Sequence, residues 1–141
     1  MALQRADDVL PGAEAVLRDA PHGSIGAAIS TFHAEVVVPL KVTPRRAYER
    51  TLVLLVRDLA ERTPTPTSPL ADLSSDALAG HLRWRASHGL VDGAEMIRAA
   101  LHLSRLAAWM DEHEGTSINL PSEGLRAIAV ELTESGAAPS S

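Results

Sequence analysis

The sequence predicts an all-α fold, a compact helical bundle of about four core helices with an additional N-terminal helical segment. The main observation is the stretch from Val91 to Gly115, which contains no proline and lies between a capping aspartate, Asp92, and a terminating glycine. Prolines and capping residues also divide the rest of the 141-residue chain into segments of helical length. No segment shows a convincing alternation of apolar and polar residues, and only Val36–Val38 is ambiguous between helix and strand.

The N-terminal part predicts two helices. Residues 1–10 are polar and are expected to lack regular secondary structure. A short helical segment is predicted to begin at Pro11 and to end near Pro21. Ser24 is placed to cap a second helix that runs to about Val38. The apolar residues near one face of this helix are Ile25, Ile29, Phe32 and Val36.

The next helix is predicted from Pro44 to Arg62. Thr43 offers a capping hydroxyl, and proline is favoured at the first helical position because its missing N–H has no partner there in any case. The run LVLLV makes the middle of this helix apolar on all sides, so we expect that middle to be core.

A proline-rich loop separates this helix from the next. Residues 63–69, TPTPTSP, cannot form a helix and are predicted to be extended. Ser74 or Ser75 then caps a helix over Asp76–His88, which Gly89 terminates.

The long helix after Asp92 is expected to be mostly buried, with one narrow exposed stripe. Its predicted core positions are Met96, Ala100, Leu103, Ala107 and Met110. The opposite face, which is predicted to be exposed to solvent, carries Arg98, His102, Arg105 and Trp109.

The C-terminal part predicts one further helix. Residues 116–120 are expected to be extended, Pro121 or Ser122 restarts a helix, and residues 124–133 carry apolar residues at helical spacing. The final SGAAPSS is typical of a linker. The resulting division is an N-terminal helical extension (1–42), a central helical domain (43–120) and a C-terminal helix with a linker-like tail (121–141).

Charge is unevenly distributed along the chain. The formal net charge is −5, but residues 43–109 contain nine arginines and seven acidic residues, a net charge of +2. Residues 1–42 carry −2 and residues 110–141 carry −5. The net charge of the whole chain argues against a nucleic-acid partner, whereas the positive central part favours one.

Four segments between residues 43 and 126 occur in an order and spacing that resemble those of a known family. They are TPRRAYERTLVLLVRDLAER, PLADLSSDALAGHLRWRASHGL, EMIRAALHLSRLAAWMDEHEG and INLPSEGLR. This region resembles the SAM-like core-binding domain of tyrosine recombinases, the phage-integrase family. The matching residues are Thr43, Arg46, Tyr48, Leu52, Leu70, Asp72, Leu73, Ser74, Asp76, Leu78, Gly89, Leu90, Leu103, Leu106, Trp109, Gly115, Asn119 and Pro121.

The resemblance implies a helical domain that clamps duplex DNA for site-specific recombination and integration. In that family a separate catalytic domain performs strand exchange, and we expect this chain to lack it. Two features depart from the pattern: Glu95 puts an acid at the entry of the long helix, where it opposes phosphate, and Leu120 interrupts the usual asparagine–proline exit. Duplex DNA is therefore the expected partner, with binding that these departures weaken.

The candidate DNA contacts are basic residues of the central part, because arginine and helix ends suit phosphate and guanine contacts. The alternative for each is a solvated arginine that covers apolar neighbours. Trp84 and Trp109 are expected to pack rather than to stack on bases. The eight candidates are Arg45, Arg46, Arg50, Arg83, Arg85, Arg98, His102 and Arg105.

The sequence offers no convincing enzyme chemistry, so we expect a non-catalytic protein without a cofactor. His102 and Arg105 match the H-x-x-R pattern of the recombinase catalytic domain but lie inside the core-binding resemblance, and Tyr48 lies among core residues. The acidic cluster Asp111–Glu114 is expected to be a solvated helix end rather than a metal site, because consecutive helical residues point in different directions. The absence of cysteine excludes a cysteine metal site.

A helical protein-interaction or dimerisation module is the alternative function. It would keep the fold without strong DNA binding, as the net charge and Glu95 suggest. The apolar helix Ser24–Val38 would then pack against a protein partner or a second copy. No apolar run is long enough for a membrane span and no signal sequence is evident, so we expect a cytoplasmic protein.

Overall fold

The computed structural model describes residues 10, 12–62, 64–90 and 92–137. Over these residues it contains six α-helices and no strand, which confirms the all-α prediction. The helices are α1 (Glu14–Arg18), α2 (Ile25–Phe32), α3 (Val42–Ala60), α4 (Ser75–Ser87), α5 (Gly93–His113) and α6 (Ser122–Ala137). A π-helical segment (His33–Val37) follows α2, and a 3-10 turn (Leu70–Asp72) precedes α4.

The chain divides into two compact units, Met1–Asp72 (unit 1) and Leu73–Ser141 (unit 2). The division of the chain into segments 1–42, 43–120 and 121–141 stays a prediction from the sequence. Among the described residues, no helix combines the length and the apolar character that crossing a bilayer requires.

In unit 1, Ser24 caps α2 as the sequence predicts. Its hydroxyl accepts a hydrogen bond from the Ala27 amide at 3.1 Å. The helical path continues beyond Phe32 as the π-helical segment, in which the Val38 amide donates to the His33 carbonyl five residues earlier. The Val36–Val38 patch is therefore part of this helical path and its closing turn, and the apolar face of α2 is already buried within the folded chain.

The loop after α3 folds back onto the first turn of α2. The amides of Ile25 and Gly26 donate to the carbonyls of Ser68 and Pro66 at 2.9 and 2.8 Å, which satisfies two N–H groups that the start of a helix leaves open. Over its described residues, 64–69, the loop is not helical, as predicted. The bond from the Ser68 amide to the Thr65 carbonyl makes this part a turn rather than an extended segment.

Helix α3 begins earlier than the sequence predicts. Its N-cap is Lys41, which makes no side-chain capping bond, so the prediction that Thr43 caps this helix is wrong. Pro44 still falls in the first turn, where a missing amide breaks no helical hydrogen bond. The apolar middle is core, as expected: Leu52, Leu55 and Leu59 are fully buried.

Unit 2 consists of α4, α5 and α6, and the first two of these helices follow the predicted boundaries closely. Ser74 caps α4 through the Ala77 amide, and Asp92 caps α5 through the Glu95 amide. The two helices are followed by Gly89 and Gly115, whose φ angles of +75° and +73° favour glycine. All five predicted core residues of α5 (Met96, Ala100, Leu103, Ala107 and Met110) are buried.

Helix α6 is longer than predicted and packs against α4 and α5. Leu125 and Ala129 are its buried residues, and its exposed side carries Arg126, Val130 and Glu134. The helix extends to Ala137, so the first three residues of the segment expected to be a linker are helical. The rest of that segment, residues 138–141, lies outside the described residues.

Candidate nucleic-acid interface

Two of the predicted contacts, Arg98 and Arg105, lie on the exposed side of α5. They are seven residues apart, which places them about 10 Å apart along the helix axis and on nearly the same face. Leu101 lies between them and is 38% exposed. The exposed stripe predicted from the sequence therefore exists but is displaced, since it contains Leu101 instead of His102.

His102 is only 5% exposed, so the prediction that it faces solvent is wrong. Burial, together with the smaller effect of the positive charges of Arg105, Arg98 and Arg85, lowers the pKa of the imidazole to about 4. His102 is neutral at physiological pH and does not reach a phosphate. The contributions of the three arginines nevertheless show that positive charges lie close to this side chain.

Arg85 is also buried, with 1% exposure, and so lies away from any DNA surface. Its Nε atom donates to His81 Nε2 at 3.1 Å, and its Nη1 atom lies 3.5 Å from Glu95 Oε1. These contacts link α4 to the first turn of α5. They also give Glu95 a cationic partner, so the acid that departs from the recombinase pattern helps to hold a buried arginine.

Arg83 is exposed on α4, beside a half-buried aromatic side chain. The ring of the adjacent Trp84 stacks on His88 with a centroid distance of 4.2 Å. Trp109 stacks on His113 in the same way, at 5.2 Å. Each tryptophan therefore covers a histidine of its own helix, one turn further along the chain.

The three candidates in unit 1 are not equivalent. Arg46 and Arg50 are exposed on α3. Arg45 is half-buried, and its Nε atom donates to Glu49 Oε2 at 3.0 Å.

The same oxygen of Glu49 lies 2.7 Å from Nε2 of the buried His33. Burial acts to raise the pKa of Glu49, but the hydrogen bonds from His33 and Arg45 outweigh it and hold the pKa below its ordinary value. The His33–Glu49–Arg45 cluster joins the π-helical segment to α3. Sequence reasoning missed it because His33 lies sixteen residues from Glu49 and no spacing rule connects them.

A groove between α5 and α6 contains a basic residue that sequence reasoning also missed. Its volume is about 490 Å³, and it is bordered by Ala94, Ile97, Arg98, Leu101, Ser122, Glu123 and Arg126. Arg98 on α5 and Arg126 on α6 thus border one groove. Spacing along one helix could not reveal this, because the two arginines belong to different helices.

Asp111, in the acidic C-terminal end of α5, has a structural role. This carboxylate accepts hydrogen bonds from the Thr116 hydroxyl at 2.6 Å and from the amides of Ile118 and Asn119, both at 2.7 Å. Burial acts to raise the pKa of Asp111, but these three donors outweigh it and lower the pKa. The side chain thereby holds the turn in which Asn119 adopts a φ of +50°.

Over the described part of the chain, no group of three or more histidine, cysteine, aspartate or glutamate residues is arranged to hold a metal ion. Comparisons with protein-family models, with curated proteins and with solved structures found no match. The resemblance to tyrosine recombinases therefore depends on the sequence segments given above.

Proposed function

We propose that this protein binds duplex DNA through the exposed side of α5. The observation that carries the proposal is the pair Arg98 and Arg105, two exposed arginines on one face of a helix. Their positive charges act together with burial, the larger cause, to lower the pKa of the nearby His102. Duplex DNA presents closely spaced phosphates, and arginine binds phosphate with charge-assisted hydrogen bonds. Arg126, which borders the same groove as Arg98, adds to the positive charge.

The proposed contact set is smaller than the one predicted from the sequence. Arg85 and His102 are left out because a buried side chain does not reach a phosphate. Arg83 of unit 2 stays in the set. The exposed Arg46 and Arg50 belong to unit 1 and stay separate predictions from the sequence. The role in recombination and the SAM-like type of fold remain proposals, which the resemblance of residues 43–126 supports.

Fluorescence anisotropy with a labelled duplex, titrated at two salt concentrations, tests this function. For the variant R98Q/R105Q we expect about a tenfold or greater loss of affinity at low salt. Each lost phosphate contact should also reduce the salt slope by about 0.9. R18Q/R57Q is the matched control, because it also removes two positive charges, from exposed positions on α1 and α3 that are outside the proposed contact set. No binding by the wild type at low salt, or equal binding by the double variant, would contradict the proposal.

A second candidate function is a protein-interaction module, and the exposed apolar side chains of the α5–α6 groove favour it. Ile97 is 36% exposed and Leu101 38% exposed, and together they make part of the groove apolar. This groove replaces Ser24–Val38 as the interaction surface, because the apolar face of α2 is already buried. Light scattering combined with DNA retention separates the candidates: a dimer that does not retain DNA supports the second, and a monomer that retains DNA supports the first.

A further inference from the structure

We infer that the exposed side of α6 is a self-association surface, on which a second copy of this chain pairs antiparallel around Val130. The inference rests on the second candidate function and gives its surface one specific occupant. It begins from a shallow hollow of about 530 Å³ along α6, bordered by Glu123, Arg126, Ala127, Val130, Glu131 and Glu134.

The hollow and the α5–α6 groove form one continuous surface. Glu123 and Arg126 border both of them. The exposed apolar side chains of this surface are Ile97 and Leu101 on α5 and Val130 on α6, each between 36% and 38% exposed. Adjoining apolar side chains with charged neighbours are typical of an interaction surface rather than of ordinary solvent-exposed helix.

The charges along α6 identify a second copy as the occupant. Arg126 precedes Val130 by four residues and Glu134 follows it by four, so both lie about 6 Å from Val130 along the helix axis, in opposite directions. When two copies of α6 pair antiparallel about a two-fold axis at Val130, each Arg126 comes level with Glu134 of the other copy. The pairing is self-complementary, as a two-fold interface requires.

The α5–α6 groove adds to the charge complementarity between the two copies. Its border includes two arginines, Arg98 and Arg126, and it lies beside the N-terminal half of α6. The C-terminal half of α6 carries Glu131 and Glu134 together with the negative end of the helix dipole. Antiparallel pairing therefore brings the acidic half of one copy to the basic groove of the other.

Sedimentation of the full-length protein over a range of concentrations, at low and high salt, tests this pairing by charge reversal. R126E and E134R should each weaken the dimer about tenfold or more, because each places like charges together twice in the symmetric dimer. The double variant R126E/E134R should return to within about threefold of the wild-type dissociation constant, because it exchanges the two partners.

The controls reverse charge elsewhere. Arg18→Glu on α1 and Glu112→Arg on α5 change exposed residues outside this surface, and both should dimerise like the wild type. Val130→Asp should abolish the dimer while circular dichroism shows an unchanged helical fold. A wild type that stays monomeric at all concentrations overturns self-association. If R126E dimerises like the wild type, or if R126E/E134R does not recover wild-type dimerisation, this pairing is overturned. Self-association through another surface would then remain.

Discussion

Replacing Asp111 by asparagine removes the charge that holds the end of α5 to the following turn, while the size of the side chain is kept. The wild-type carboxylate accepts three hydrogen bonds, from Thr116, Ile118 and Asn119. An asparagine side chain has one acceptor oxygen, and its NH₂ group would face backbone amides that also donate. Thr116 and Ile118 donate to Oδ1 and Asn119 donates to Oδ2. We therefore expect Asp111→Asn to lose the bond from Asn119 and to weaken the other two, which lose their charged acceptor.

The expected loss follows from the strength of these bonds. Hydrogen bonds to charged acceptors contribute about 1.5–3 kcal/mol each. Asp111 is half-buried, so we take about 1 kcal/mol for the lost bond and about 0.5 kcal/mol for each bond that loses its charged acceptor. Asp111→Asn should therefore lower the free energy of unfolding of unit 2 by about 2 kcal/mol. For a chain of this length, that corresponds to a decrease in Tm of about 6 °C.

Urea and thermal unfolding followed by circular dichroism measure this effect, with Glu112→Gln as the control. Glu112 is the exposed neighbour of Asp111 and, like Asp111, carries one negative charge. Because the pKa of Asp111 is lowered in the folded state, its contribution is present above the unfolded pKa of about 4 and is lost as the pH falls through the folded pKa. The difference between wild type and Asp111→Asn should therefore shrink in acid. Equal stability of Asp111→Asn and Glu112→Gln at neutral pH would refute this reasoning.

Two further predictions concern buried positions. The NMR titration of His102 should have its midpoint near pH 4, where burial and the nearby arginines place its pKa; a midpoint near 6.5 would contradict its burial. Because the unfolded chain takes up this proton near pH 6.5 and the folded chain does not, the wild type should lose stability relative to His102→Leu as the pH falls from about 6.5 to 4. Gly26→Ala should destabilise the protein by about 1–3 kcal/mol in urea unfolding, since its Cβ would lie 2.8 Å from Ala20 Cβ. Gly124→Ala is the matched control: nothing lies within 4 Å of its Cβ, so it should be neutral or stabilise α6, and equal effects at the two glycines would rule out the steric explanation.

The helix starts and stops were predictable because they depend on neighbouring residues. The capping bonds of Ser24, Ser74 and Asp92 each reach an amide three residues ahead, so the residue type and its position were sufficient. Thr43 shows where this reasoning fails. A threonine followed by proline is a good start signal, yet the helix begins at Val42, and a first turn that extends over Pro44 keeps Thr43 inside it.

The candidate site was less predictable because it depends on which helices meet. Arg85 and His102 have residue types that usually face solvent, but both are buried in unit 2. The helical wheel places Leu101 on a flank of α5, which we expect to be mostly buried, and His102 on the exposed stripe. In the structure Leu101 is exposed and His102 is buried. Arg98 and Arg126 border the same groove because α5 and α6 pack together. The spacing of residues within one helix could not predict this.

The stacked tryptophans give unit 2 its own optical signal. Trp84 and Trp109 are the two tryptophans of the chain, and its one tyrosine and one phenylalanine, Tyr48 and Phe32, contact each other in unit 1 at a centroid distance of 6.1 Å. Selective tryptophan emission therefore reports on residues 73–141, while far-ultraviolet circular dichroism reports on the helices of both units. The unlabelled wild type can thus reveal whether its two halves melt in one cooperative step or in two.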